Sequence, residues 1–236
     1  MAAVTGSAPT AGAPEGGAPA LEARSLYRFF RAGEEETLAL QGVSLTVAAG
    51  ELVVVVGPSG SGKSTLLACL AGLDEPDGGT VLVAGHRMSH QPEPVRARMR
   101  AQRMGILSQS SNLFEHLTVA ANLAFVRAVA PSPSGPADLD LLHRVGLGAR
   151  GAAYPDELSG GEAARAGLAV ALAGDPVVVL ADEPTGELDN ATEAEVLALL
   201  AAAARNGVAV IVASHSPAVA AAADRVVRLE DGRVAA

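Results

Sequence analysis

Three short segments of this 236-residue chain have residue types and spacings suited to phosphoryl chemistry. The first is Gly57-Pro58-Ser59-Gly60-Ser61-Gly62-Lys63-Ser64, followed by Thr65 and a Leu-rich stretch. It follows an apolar run and opens a helical pattern, the strand–loop–helix setting in which a phosphate loop works. Glycines let the backbone curl until successive N–H groups face one anion, and the helix N-terminus adds partial positive charge. In that frame Lys63 reaches the β- and γ-phosphates, Ser64 places its hydroxyl on Mg2+, and Thr65 adds a contact to the α-phosphate. Lys63 is also the only lysine among 17 basic residues. A chain that otherwise uses arginine thus keeps a compact point charge where a guanidinium would be too broad. A flexible Gly/Ser loop is the plain alternative, and the flanking strand and helix patterns oppose it.

The second segment is the apolar run 177–181 followed by Asp182, Glu183 and Pro184. A buried strand ending in two carboxylates presents acids at the ligand edge of a sheet. Asp182 is placed to hold Mg2+ through water and Glu183 to polarise an attacking water. Pro184 stops the strand, which keeps both acids in the crevice. The third is Leu158-Ser159-Gly160-Gly161-Glu162. Taken alone, Ser159 and Glu162 make a capping box. Two glycines in the first turn also leave backbone amides open to a second anion. The phosphate loop already takes one side of a nucleotide, so a second anion site in the same chain suggests two chains sandwiching shared ATP.

These segments must be positioned by a scaffold. Leu52–Val56, 177–181 and 208–213 are continuous apolar runs, the pattern of parallel strands covered on both faces. Residues 43–47 alternate as an outer strand does. Helical patterns fill 64–71, 139–145, Gly160–Ala173 and 191–204. Strand and helix therefore alternate, an α/β arrangement with ligands at the carboxyl ends of the strands. Residues 112–173 have little strand character and read as a helical lobe inserted in that core. Residues 1–20, nearly all Ala, Gly, Pro, Ser and Thr, read as a disordered tail, and 131–136 as a loop between helices.

Composition narrows the classes. Hydrophobic residues are 49% and aromatics 3%, so a large core must be aliphatic. A net charge of −9 opposes a nucleic-acid surface, which needs basic stripes. No run approaches the roughly 20 apolar residues of a membrane span, and the first basic residue is Arg24, which does not suit a secretory signal. The single cysteine, Cys69, fits a reducing compartment and reads as core. The expectation is a soluble intracellular chain. Glu34-Glu35-Glu36 reads as a solvated run. Arg96, Arg98, Arg100 and Arg103 read as an exposed helix, with anionic lipid or a partner as the sharper alternative. His86 and His90 have no carboxylate or thiol companions that would make a metal site.

From about Leu21 onward the chain resembles the nucleotide-binding domains of the ATP-binding cassette (ABC) family, with Leu158–Glu162 in the place of the signature motif. The resemblance implies a P-loop NTPase core with a parallel sheet, an N-terminal antiparallel β portion and the helical subdomain at 112–173, one ATPase domain over 21–236. It implies that Gln109 is the glutamine that senses Mg2+ and couples to a membrane partner. It makes Asp189 the acid of a loop crossing the dimer interface, His215 the switch histidine on the γ-phosphate, and Phe30 the ring that stacks on adenine where the family has Tyr. The implied cofactors are ATP and Mg2+. The implied partners are a second nucleotide-binding subunit, in a homodimer rather than a heterodimer, and transmembrane permease subunits at the inner face of the plasma membrane. Finer detail, Phe30-Arg31-Ala32-Gly33 and the run Ala181–Asp189, resembles the lipoprotein-releasing and macrolide-exporting branch.

The departures concern the signature helix and two flanking positions. Ala163 and Ala164 stand for the family's Gln-Gln, and Val170 for an arginine, a loss of polar contacts read as falling at the partner interface. Ser108 replaces a bulky residue and Ser216 an aspartate. A soluble ABC ATPase without a permease is the rival. Translation factors of that kind carry two cassettes per chain, and chromosome-maintenance relatives insert coiled coils for which 109–159 leaves no room. A non-catalytic binding subunit is opposed by Glu183 and His215.

Overall fold

A run such as Leu-Val-Val-Val-Val has no polar side to offer water, so it folds only where both faces are covered. The computed structural model describes residues 18–32, 35–108, 112–130 and 138–235. In it Leu52–Val56 is β3, at the middle of a six-stranded sheet. The other members are β6 (Met104–Leu107), β7 (Val178–Asp182), β8 (Ala209–Ala213), β9 (Arg225–Glu230) and β10 (Arg233–Val234), in the order β10-β9-β3-β8-β7-β6. All neighbours pair in parallel except β10, which returns antiparallel along β9. A second, antiparallel sheet has the order β2-β1-β4-β5. Its strands are β1 (Leu21–Ala32), β2 (Glu35–Val47), β4 (Gly78–Val83) and β5 (His86–Arg87). The expected α/β fold is the fold found.

Alternation along the central strands sends side chains to two cores. Val53, Val55, Val178, Leu180 and Ile211 meet the antiparallel sheet and Leu66, Cys69 and Leu70 of helix α1 (Lys63–Leu70). Leu52, Val54, Val179, Val210 and Val212 meet Val196 and Leu200 of α6 (Asn190–Arg205). A fully buried Val or Leu contributes roughly 1.5–3 kcal/mol relative to its exposed state, so these double-faced strands anchor the fold. Burial pushes the Cys69 thiol up to about 12. It is protonated at neutral pH and acts as a small core side chain.

A third core lies among α3 (Val119–Val129), α4 (Asp138–Arg144) and α5 (Gly160–Ala173). Ala166, Ala169, Val170 and Ala173 supply its α5 side at i, i+3, i+4, i+7 spacing. This corrects the expectation at two of the three altered signature-helix positions, Ala164 and Val170, while Ala163 stays part-exposed. Val170 is buried in this third core and Ala164 in the second, so neither presents a face to a partner. Apolar side chains stand there because their own chain packs on them.

Helix α2 (Glu93–Arg103) also departs from the exposed-helix reading. Arg96 and Arg100 are half-buried; Arg96 pairs with Glu75 at 2.7 Å and Arg100 donates to Gly72 O at 2.9 Å, while both also engage Glu93. Only Arg98 of these residues is exposed. His90 faces Glu75 and Gly79 O at 3.1 and 3.0 Å. Helix α7 (Pro217–Ala221) completes the elements. Among the described residues no helix is long and apolar enough to cross a membrane. Gln109, Glu34, most of the 1–20 tail and the 131–136 loop lie outside the described residues.

Candidate functional site

The turn between β3 and α1 is shaped by close approach. A Cβ on Gly57 would sit 2.1 Å from Leu229 O, and one on Gly62 would sit 2.4 Å from Ala39 O. Gly62 also adopts φ +99°, a left-handed conformation costly for any other residue. The loop is thus wedged between β2 and β9. Gly62 begins α1 without a side-chain cap, and no acid occupies the first turn. The first amides of the helix are left for an anion. Lys63 Nζ donates to Gly57 O at 2.9 Å and Pro58 O at 3.1 Å, so its cation rests on the loop's own carbonyls. Hydrogen bonds to charged groups contribute about 1.5–3 kcal/mol. Lys63→Ala should therefore weaken ATP about tenfold to a hundredfold by calorimetric titration; unchanged affinity would remove Lys63 from phosphate binding.

The acidic end comes from neighbouring parallel strands. Asp182 is the last residue of β7, paired with Ala213 of β8. Its Oδ1 is buried without a hydrogen-bond partner among the described residues. Glu183 leaves the strand at φ +46°, its N–H donating to Ala213 O at 2.9 Å. Its carboxylate accepts from the Ser214 hydroxyl at 3.3 Å and lies 2.9 Å from His215 Nδ1. Phe30, Gly57, Pro58, Ser59, Gly60, Gly62, Lys63, Ser64, Thr65, Glu183 and His215 line one cavity of about 870 Å³. Ser61 is buried behind the loop, 2% exposed, and Asp182 lies outside the lining.

The 158–162 segment is also built as its residue types require. Ser159 caps α5, its hydroxyl accepting from Glu162 N at 3.3 Å, and Glu162 Oε2 accepts from Ser159 N at 2.9 Å. The Ser159 N–H, then its hydroxyl, and Arg150 hold the Glu162 carboxyl below the ordinary range. Asp189 caps α6, and Thr192 through its hydroxyl and N–H holds that carboxyl low as well. With both values lowered on folding, these caps stabilise fully above the ordinary carboxylate pKa and lose effect as pH falls through the lowered one. The two helix starts touch: a Cβ on Gly161 would lie 2.4 Å from Thr192 Cγ2, and Arg165 pairs with Glu195 at 2.6 Å. None of these residues lines the cavity of the phosphate loop.

Residues 40–186 match the family described as ABC transporter. The chain belongs to the ABC transporter family. It is an ATPase cassette of that family and binds ATP. It is 40% identical, over 91% of its length and 92% of the relative's, to the lipoprotein-releasing system ATP-binding protein LolD of Chromohalobacter salexigens. It is 41% identical to macrolide export ATP-binding/permease protein MacB 1 of Yersinia pestis bv. Antiqua, covering 92% of this chain and 34% of that one. The cassette thus spans about a third of the macrolide exporter it matches. Its fold superposes with TM-score 0.83 and 30% identity on the dimeric post-hydrolysis state of the ATP-binding cassette MJ0796 bound to ADP and Pi, covering 92% of this chain and 97% of that one.

The cassette's site also uses residues that no motif announced. Ser214 is buried between Glu183 and Ser216 N, which donates to its hydroxyl at 3.1 Å. Gln41 of β2 donates through its N–H to Gly232 O and through Nε2 to Asp231 O, both at 2.7 Å. Gly232 N donates in turn to Ser61 O at 3.1 Å. The β9–β10 turn is thereby latched to the back of the phosphate loop, and Asp231 and Gly232 line the cavity. An Asp-Gly pair is a turn signal in sequence, but nothing local ties it to residue 61.

Proposed function

We propose that this cassette is the ATP-hydrolysing subunit of a membrane transporter, in which two copies close around two ATP and drive a transmembrane permease. The observation that carries this reading is the separation of two anion-binding helix starts in one chain. The start of α1 opens on the cavity with Lys63, Glu183 and His215, and the start of α5 does not line it. A nucleotide held by the first is completed by the second only from another copy.

In this reading Gly57, Pro58, Ser59, Gly60, Ser61, Gly62 and Lys63 cradle the phosphates, with Thr65 on the α-phosphate, and Phe30 stacks on adenine. Glu183 takes the proton of the attacking water, held in place by the Ser214 hydroxyl, and His215, beside it in the cavity, contacts the γ-phosphate. Leu158, Ser159, Gly160, Gly161 and Glu162 meet the γ-phosphate of the opposite chain, with Asp189 at the interface beside them. The residues fit Mg2+: Ser64 lines the cavity, and the buried, unpartnered Asp182 Oδ1 needs a donor or a cation-held water. Few protein ligands are typical where substrate phosphates complete the shell. When bound, Mg2+ neutralises charge developing on the phosphate oxygens. Gln109 is assigned to sense that ion and the permease.

Residues 21–236 act as one ATPase domain, with 112–173 as its helical subdomain; the separate core shared by α3, α4 and α5 supports this. The relatives named for lipoprotein release and for macrolide export with a permease support a place on the cytoplasmic face of the plasma membrane. The chain should be tagged, expressed in its own host and purified from detergent-solubilised membranes. A multi-span permease is the expected companion; ribosomes or DNA instead would overturn the assignment.

A further inference from the structure

Phe30 is large, apolar and 42% exposed at the rim of the cavity it lines. An exposed ring on a strand edge turns freely unless something holds it. Two residues earlier on β1, and so on the same side of the strand, stands Arg28. Its guanidinium carbon lies 4.8 Å from the centre of the Phe30 ring, within cation–π range. Arg28 does not line the cavity. One face of the ring is thus taken by a group that lies outside the cavity.

The guanidinium is itself fixed. Nε and Nη2 donate to the two Asp74 oxygens at 2.8 and 2.7 Å, a bidentate pair, and Nη1 donates to Asp77 at 3.1 Å. The Arg28 side chain is only 22% exposed. Asp77 also accepts from Phe29 N at 2.8 Å, between the two residues in question. Asp74 lies in the turn after α1, its N–H donating back to Ala68 O of the helix at 3.1 Å. The helix that opens with Lys63 at the phosphates therefore closes beside the brace behind Phe30.

We propose that Arg28 is a positioning residue for the nucleobase: held by Asp74 and Asp77, it fixes the Phe30 ring so that its open face stacks the base at a set distance from the phosphate loop. The arrangement is a three-layer stack of base, phenyl ring and guanidinium. The phenyl ring lacks a hydroxyl with which to anchor itself, and the locked cation takes over that restraint. This rests on Phe30 being the base platform.

The test separates base from phosphate by titrating the whole chain, calorimetrically, with ATP and with inorganic tripolyphosphate. Arg28→Ala should weaken ATP about two- to fivefold and leave tripolyphosphate unchanged. Arg28→Lys retains a charge for Asp74 but not a flat, two-acid brace, and should weaken ATP alone in the same direction. It serves if the alanine variant does not fold. Phe30→Ala should weaken ATP about five- to a hundredfold. Loss of affinity for both ligands in the Arg28 variants would mean a role through α1 and overturn the proposal. Unchanged ATP affinity in the Arg28 variants beside weakened ATP in Phe30→Ala would overturn the brace and keep the platform. Unchanged ATP affinity in Phe30→Ala would overturn the platform reading itself.

Discussion

Glu183→Gln is expected to leave ATP bound while slowing its turnover by about 10²–10⁴, the range of a lost general base. The side chain sits between Ser214 Oγ and His215 Nδ1, at 3.3 and 2.9 Å, beyond the end of β7. A glutamine fills the same volume and keeps an oxygen for the Ser214 hydroxyl, so the pocket is preserved. Its amide has no basic lone pair with which to take a proton from water. The residue also sits at φ +46°, and such strained positions persist where the surroundings over-determine them. Steady-state phosphate release beside ATP titration checks the split, and wild-type turnover would show that another group is the base.

Gly160→Asp should abolish hydrolysis while each chain still binds ATP. A carboxylate about 4 Å from the γ-phosphate of the opposite chain repels it by roughly 4 kcal/mol at an effective dielectric of 20. That is about a thousandfold against closure. Position 160 is the clean one to alter. A Cβ there meets only Leu188 Cδ2, at 3.7 Å, whereas at Gly161 it would meet Thr192 Cγ2 at 2.4 Å and disturb the contact between α5 and α6. An acid at the first helical position favours the helix dipole, so the fold is retained. Normal ATPase activity in this variant would refute a signature segment acting across two chains.

The parts legible in sequence were those whose physics is local or doubly buried. β3, β7 and β8 declare themselves because both faces meet cores, leaving runs of Val, Leu, Ile and Ala. β9 hides because only Val227 and Leu229 of Arg-Val-Val-Arg-Leu-Glu are buried. α2 is legible as a helix, but its packed side hides because Met99 alone is buried among its arginines. The curl at Gly57–Lys63 and the Ser159 cap are made within a few residues, so spacing reveals them. Ser214, and the latch from Gln41 to Gly232, depend on contacts between segments far apart in the chain, which no local pattern encodes. Val170 departs from expectation for a related reason: whether a helix position faces a partner or its own core depends on what the fold brings against it.

The proposed hydrolytic site is shared between two chains. The direct test is the mass of Glu183→Gln in solution by light scattering, with and without ATP and Mg2+. Trapped before hydrolysis, the variant should pass from the mass of one chain to that of two on adding ATP, and the Gly160→Asp change placed in the same chain should keep it at one. A Glu183→Gln chain that binds ATP and stays monomeric at saturating nucleotide would contradict the shared site.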